Sequence, residues 1–363
     1  MVSRVARFGG RWAACGRRFR AEAPEGMAPG SPFGASIRSL LLSLHHSHHV
    51  GFARLAWMMA ELFGLKISAG AIANAFRRAE DAMTAAGAAI KAKLLAARVI
   101  AADETTSRID GTTCWHWLFV SAKAVLHTIA PRQAKAVAEA VLGAYRPAVW
   151  VSDRDAGQQD PAPAHQVCLA PVLRDVLRDV PYAIDCGDAV FAPRLRHLLR
   201  RAIRIGQRRQ TLQPTTLRHD HARAGRRLDA LVALPAAHPA GRELQTAVKA
   251  WRTKFFVFLE DPDVPATNNA CEREIRPSLV FRKLTGGFRS DGFRSDWSAH
   301  IHAGYRSVTA TPPPNRAAVH RTPPRRNPPA NPPALIAREV SSYPASRIML
   351  RKRSIKLISI RTP

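Results

Sequence analysis

Between residues 98 and 155 the hydrophobic period shortens from helical to alternating, and that switch constrains the fold more than any other feature of the chain. Val99-Ile100-Ala101-Ala102 is a short apolar run. Residues 113–120 alternate and are aromatic, and 124–129 form a third short run. All three predict strands, because β-branched and aromatic side chains fit a pleated, half-buried surface. Residues 134–145 are rich in Ala and Val and predict a helix, and 148–151 predict a fourth strand. Strands interleaved with a helix make this an α/β region.

Two of those apolar runs break on an acid. Asp103 falls on the first strand, and Asp153 ends Val149-Trp150-Val151-Ser152-Asp153 at the fourth. A third acid, Glu272, lies in the helical stretch Asn268-Asn269-Ala270-Cys271-Glu272-Arg273, one turn from both asparagines. Two carboxylates at strand ends and one on a helix are the oxygen ligands that a pair of magnesium or manganese ions requires. Such a pair clamps the attacking and leaving oxygens of an in-line phosphoryl transfer. A lone Asp at a strand end is most often a turn former, so the combination carries the reading. Three strands, a helix and a strand are also the opening order of a ribonuclease H-like fold. Glu274 competes with Glu272 but projects elsewhere, and Pro277 is expected to limit the helix.

The charge fits a polyanionic partner. The chain has 363 residues and a formal net charge of +28, and each Lys or Arg set near a phosphate releases counterions. Ribosomal and chromatin proteins share this balance, so charge alone names no activity. Five cysteines, odd in number and widely spread, predict reduced thiols in a cytosol rather than a disulfide framework. No apolar run reaches membrane-spanning length.

Residues 37–95 read as helices. Leu55, Met58, Met59 and Leu62 make a helical stripe, Gly64 is a stop and Ser68 an N-cap. The next helix carries Ile72, Phe76, Ala79 and Met83 on one face, with Asn74, Arg77 and Arg78 off it. A helix, a short turn and a capped helix with basic residues outward is a helix-turn-helix signature for DNA, and an ordinary helical hairpin is the plainer reading. His45, His46, His48 and His49 are expected in a turn or exposed rather than on a metal. Residues 164–260 read as helical and basic: 194–227 hold eleven Arg and one acid, Asp220, a density that suits a DNA-tracking surface. Residues 312–363 hold eleven of the chain's 27 prolines and predict disorder. Such a Pro- and Arg-rich tail is also what a shifted reading frame in GC-rich DNA produces.

The chain resembles the transposases of the bacterial insertion-sequence sixty-six family. The resemblance rests on Ala102-Asp103-Glu104-Thr105, Val151-Ser152-Asp153-Arg154, His165-Gln166-Val167-Cys168-Leu169-Ala170, Asn268 through Pro277, and Phe281-Arg282-Lys283-Leu284-Thr285-Gly286-Gly287-Phe288. The helical segment 45–76 supports it, and it covers roughly residues 12 to 310. It implies four parts. Residues 1–36 are a truncated zinc-knuckle remnant and linker, 37–95 the helical DNA-binding region, 98–310 a ribonuclease H-like catalytic domain with a basic helical insertion at about 164–260, and 312–363 the tail. Asp103, Asp153 and Glu272 take the places of the family's catalytic and metal-holding acids, with two Mg²⁺ or Mn²⁺ ions. Cys15 has no partner at Cys-x-x-Cys spacing, so zinc is not expected. DNA contacts are expected from Arg77, Arg78, Arg154, Asn268, Asn269, Arg273, Arg276, Arg282 and Lys283.

The implied activity is metal-dependent cleavage at the ends of a mobile element, then strand transfer into target DNA. Implied partners are DNA, further copies of the chain in the DNA complex, and accessory transposition proteins. The implied place is the bacterial cytoplasm, on the nucleoid when DNA-bound. Pro171 stands where the family has His. Leu173-Arg174-Asp175-Val176 is repeated at 177–180, and Gly287-Phe288-Arg289-Ser290-Asp291 at 292–296. These look like replication slips in a degraded copy. Two other functions share the signature: a catalytically inactive, basic DNA-binding remnant, and a ribonuclease H-like nuclease without strand transfer.

Overall fold

The structure, a computed structural model, describes residues 7–22, 33–133, 135–154, 161–176, 191–236, 239–285 and 296–312. The tail from residue 313, residues 177–180, both copies of the second repeat up to residue 295, and Cys186 lie outside them. The centre is a five-stranded sheet of β3 (Val99–Ile109), β4 (Thr112–Val120), β5 (Val125–Ala130), β6 (Val149–Ser152) and β7 (Ala164–Val167), in the order β5-β4-β3-β6-β7. A small hairpin, β1 (Gly9–Arg11) and β2 (Arg18–Arg20), precedes it. β3, β4 and β5 are antiparallel, and β6 and β7 join β3 in parallel after α5 (Lys135–Leu142) crosses over. The expected α/β class and the first four strands are therefore present.

Three expectations change. β3 does not stop after Ala102: it runs eleven residues into a tight turn in which Asp110 and Gly111 have φ of 47° and 79°. Positive φ at both central residues is the hairpin geometry that Asp-Gly favours. Residues 164–167, read as helical, form the parallel edge strand β7, whose short run carries no period of its own. Residues 9–20, read as irregular, pair as β1 and β2, with Trp12 and Phe19 ring centroids 5.4 Å apart and Gly16 left-handed at the tip.

The N-terminal helices are α1 (Ala35–His46), α2 (Phe52–Phe63), α3 (Ala69–Arg77) and α4 (Glu80–Leu94). Gly64 ends α2 at φ +65°, with its N–H on Ala60 O, the single bond that closes a helix through a left-handed glycine, and the Leu65 N–H reaches Met59 O. Ser68 Oγ accepts from Ala71 N at 3.2 Å and starts α3. Ile72 and Phe76 point inward as read, but the helix breaks at 78–79, where Ala79 N turns back to Phe76 O, so Met83 belongs to α4.

Helical residues 169–176 (α6) follow β7. Then come α7 (Phe191–Arg208), α8 (Pro214–Val232), α9 (Pro239–Ala250), the short α10 (Val257–Glu260), α11 (Asn269–Thr285) and α12 (Asp296–Ala310). Pro171 sits in the first turn of α6, where a missing N–H is tolerated. Pro277 does not limit α11, which runs on to Thr285. An interior proline costs about 3 kcal/mol or more; Ile275, Ser278 and Phe281, all buried, hold the helix across it.

Three cores form. One joins the sheet to α6 through α11, and a second joins the sheet to α4 and α5. The third joins α1 to α3 with Ile301 and Tyr305 of α12, so α12 packs on both the N-terminal helices and β5. Gln166 at β7 fastens the insertion: its Nε2 donates to Phe255 O at 3.2 Å and its Oε1 accepts from Phe258 N at 3.0 Å. Among the described residues no helix is long and apolar enough to cross a membrane.

Candidate active site

Asp103 sits within β3, where that strand loses a neighbour. Parallel pairing with β6 ends at Ala101 opposite Val151, while antiparallel pairing with β4 continues, Asp103 opposite Leu118. Extending the parallel register by two residues sets Asp153 beside Asp103, and equal parity on parallel neighbours assigns both acids to one face. The Asp103 carboxyl is pushed up to about 7, first by burial, then by the charge of Asp153, and less by that of Glu272; the Glu104 N–H, donating to Oδ1 at 2.9 Å, works the other way. The Asp103 carboxyl thus feels both other acids, one from β6 and one from α11.

Among the described residues no three His, Cys, Asp or Glu side chains stand in ready coordinating geometry for a metal. The donor set still suits a hard divalent cation. It is all oxygen, and it carries a mutual repulsion that a bound cation reverses. The Oδ1 of Asn268, buried and, among the described residues, without a hydrogen-bond partner, is one more oxygen near Asp103. Glu274, the competing acid, faces away: its Oε2 lies 3.9 Å from Arg306 Nη2 on α12.

The expected DNA contacts divide. On α11, Asn269, Arg273, Arg276 and Lys283 are exposed at intervals of four, three and seven, so they line one outward stripe beginning beside Glu272. Arg78 is exposed too, on the N-terminal helices. Asn268 is a correction: only 3% exposed, it is turned onto β3 and not toward a ligand surface. Three cations are engaged within the fold. Arg154 pairs with Asp175 of α6, Arg282 donates to the carbonyl and to the hydroxyl (3.0 Å) of Thr106, and Arg77 lies 4.9 Å over the Trp297 ring. On α7, Arg194, Arg200, Arg204 and Arg208 form a second exposed stripe, and among the described residues none of the four has an acidic partner.

The histidines are the other correction. His45 and His46 are buried, contrary to the expected exposure. His45 Nδ1 donates to Val50 O at 2.7 Å, and His46 Nδ1 lies 3.2 Å from Nδ1 of His302. His302 reaches Ser278 Oγ on α11 at 3.2 Å, and its ring lies 6.1 Å from that of His116, which pairs with His127 at 3.0 Å. Histidines far apart in sequence form one cluster behind the acid-bearing helix. The one local sign is that His45 and His46 end a helix whose buried face includes Leu41 and Leu42.

A family model described as Transposase IS66 family matches residues 30–295 of the chain. No curated protein matches it.

Proposed function

The chain belongs to the IS66 family of transposases, and on that premise we propose that it is a DNA transposase with a ribonuclease H-like core, cutting at element ends and joining them to target DNA. The reading is supported by the β3–β6 register, observed to Ala101 opposite Val151, which continued by two residues brings Asp153 beside Asp103, together with the repulsion by which Asp153 and Glu272 raise the buried Asp103 carboxyl. Asp103, Asp153 and Glu272 would hold Mg²⁺ or Mn²⁺, which when bound activates a nucleophilic oxygen and stabilises the leaving one. The exposed stripe of α11 binds phosphates beside those acids and orients the strand to be cut. The α7 stripe and the helices α2 and α3 hold DNA further away, through Asn74 on α3 and Arg78 just after it. In the first reaction, water attacks the phosphorus and the 3′ oxygen leaves as a hydroxyl. In the second, that hydroxyl attacks a target phosphorus and the target's own 3′ oxygen leaves.

The test is single-residue neutralisation. Asp103→Asn, Asp153→Asn and Glu272→Gln are each expected to cut Mn²⁺-dependent DNA nicking at least a hundredfold while DNA binding survives. Nicking that persists in all three would overturn the assignment of these acids, and a wild-type chain that binds DNA without nicking it would leave the inactive, DNA-binding reading standing.

A further inference from the structure

Asn268 joins the three segments that carry the acids. Its Nδ2 donates to Ala102 O, one residue before Asp103, at 2.7 Å. Its backbone O accepts from Glu272 N at 3.1 Å, and its backbone N–H donates to Cys168 Sγ at 3.0 Å. Cys168 N in turn donates to Ser152 O, one residue before Asp153, at 2.7 Å. A continuous run of hydrogen bonds therefore links the backbone beside Asp103, the backbone beside Asp153 and the first turn of the helix that bears Glu272.

Nothing about a helix start requires this arrangement. An Asn ahead of a helix ordinarily turns its Oδ1 onto the N–H of the second or third helical residue. Here Oδ1 makes no such bond and, among the described residues, is buried without a hydrogen-bond partner, while the amide N–H₂ donates to β3 beyond its last parallel pair with β6 and lies beside the Cys271 thiol. Cys168 is buried at 1% exposure, and burial pushes its thiol up to about 11, so it serves as an uncharged acceptor rather than a nucleophile.

We propose that Asn268, acting through Ala102 and Cys168, is a positioning residue that fixes the spacing of Asp103, Asp153 and Glu272 for metal. The proposal rests on the reading of those three as the metal-holding acids. Displacement of a reacting group by about 1 Å can lower a rate on the order of a hundredfold, so a clamp on backbone beside each acid has leverage beyond its own bond strength.

The experiment uses the full chain and Mn²⁺ alone as the probe, reading the rise in melting temperature as the ion is titrated and, separately, the affinity for a short duplex. Asn268→Ala is expected to raise the Mn²⁺ concentration at half-maximal shift at least tenfold, with duplex affinity within twofold. Cys168→Ser keeps an acceptor for the Asn268 N–H and is expected within threefold of wild type. Cys168→Val removes the acceptor at similar volume and is expected to shift half-saturation several-fold. It carries the test if Asn268→Ala folds poorly. Wild-type half-saturation in both Asn268→Ala and Cys168→Val, with Asp103→Asn abolishing the response, would overturn the clamp and leave the three-acid site intact. A Mn²⁺ response that survives Asp103→Asn would overturn both.

Discussion

Glu274 Oε2 lies 3.9 Å from Arg306 Nη2, and this pairing separates the two glutamates of one helical turn. Arg306 is buried, with its Nε unpartnered. Glu274 supplies its counter-charge, and burial holds the Glu274 carboxyl above its ordinary range. Glu274→Gln is expected to cost about 1 kcal/mol, well under the roughly 3–5 kcal/mol of a tight buried pair, because the two groups meet loosely and Glu274 is partly exposed. Nicking should survive that change. Glu272→Gln is expected to do the reverse, leaving the melting temperature and abolishing nicking. Melting curves and a plasmid-nicking assay on the two variants separate the roles, and an exchange of outcomes would assign the third acid to Glu274.

The histidine cluster makes stability depend on pH. Burial, the first cause in each case, holds His45 at about 4 and His116 at about 3, and keeps His46, His127 and His302 well below the ordinary 6.5; Arg306 adds repulsion to all but His45. Above the ordinary value both folded and unfolded chains are neutral at these sites, so they contribute no slope. Below it the unfolded chain takes up protons that the folded chain refuses. Stability should fall between pH 6.5 and about 4, by up to about 1.4 kcal/mol per pH unit for each histidine. Asp103 and Glu274, both raised by folding, pull the other way, so Asp103→Asn combined with Glu274→Gln is the background for measurement. Urea midpoints that stay flat across that range would show that the cluster opens to solvent.

Much of this is legible in the sequence, and the division follows the physics. The strands around Asp103 and Asp153, the Gly64 stop and the Ser68 cap are local signals, carried by period and turn chemistry within a few residues. The β7 strand, the burial of His45 and His46 and the inward turn of Asn268 depend on distant partners, such as Ala102 for Asn268 and His302 for His46. No local pattern encodes those. The extension of β3 to Ile109 is readable from Asp110-Gly111, a hairpin signal that the apolar run before it obscures.

Helix α12 meets α4 at a glycine. A Cβ on Gly304 would lie 2.8 Å from Met83 Cβ, closer than side chains pack. Gly304→Ala should lower stability by about 1–3 kcal/mol from overpacking, less the gain of up to about 1 kcal/mol from replacing Gly in a helix. Met83→Ala in the same chain should recover part of it. A Gly304→Ala chain as stable as wild type would mean the two helices sit further apart.

DNA binding should rest on the basic stripes and not on the acids. Arg276→Ala or Lys283→Ala is expected to weaken affinity for any duplex and to lower the slope of log affinity against log salt by about 0.9 for each phosphate no longer neutralised. Asp103→Asn should bind at least as well as wild type. Mobility shifts across a salt series measure both, and an unchanged slope in the α11 variants would move the DNA to another face.

Whether Asp103, Asp153 and Glu272 form one metal-holding site is read by anomalous scattering from Mn²⁺ soaked into crystals of the full chain. The expected result is an anomalous peak with oxygen ligands from all three side chains, absent from Asp103→Asn crystals. Mn²⁺ bound elsewhere, or a Glu272 carboxylate directed away from the peak, would contradict it.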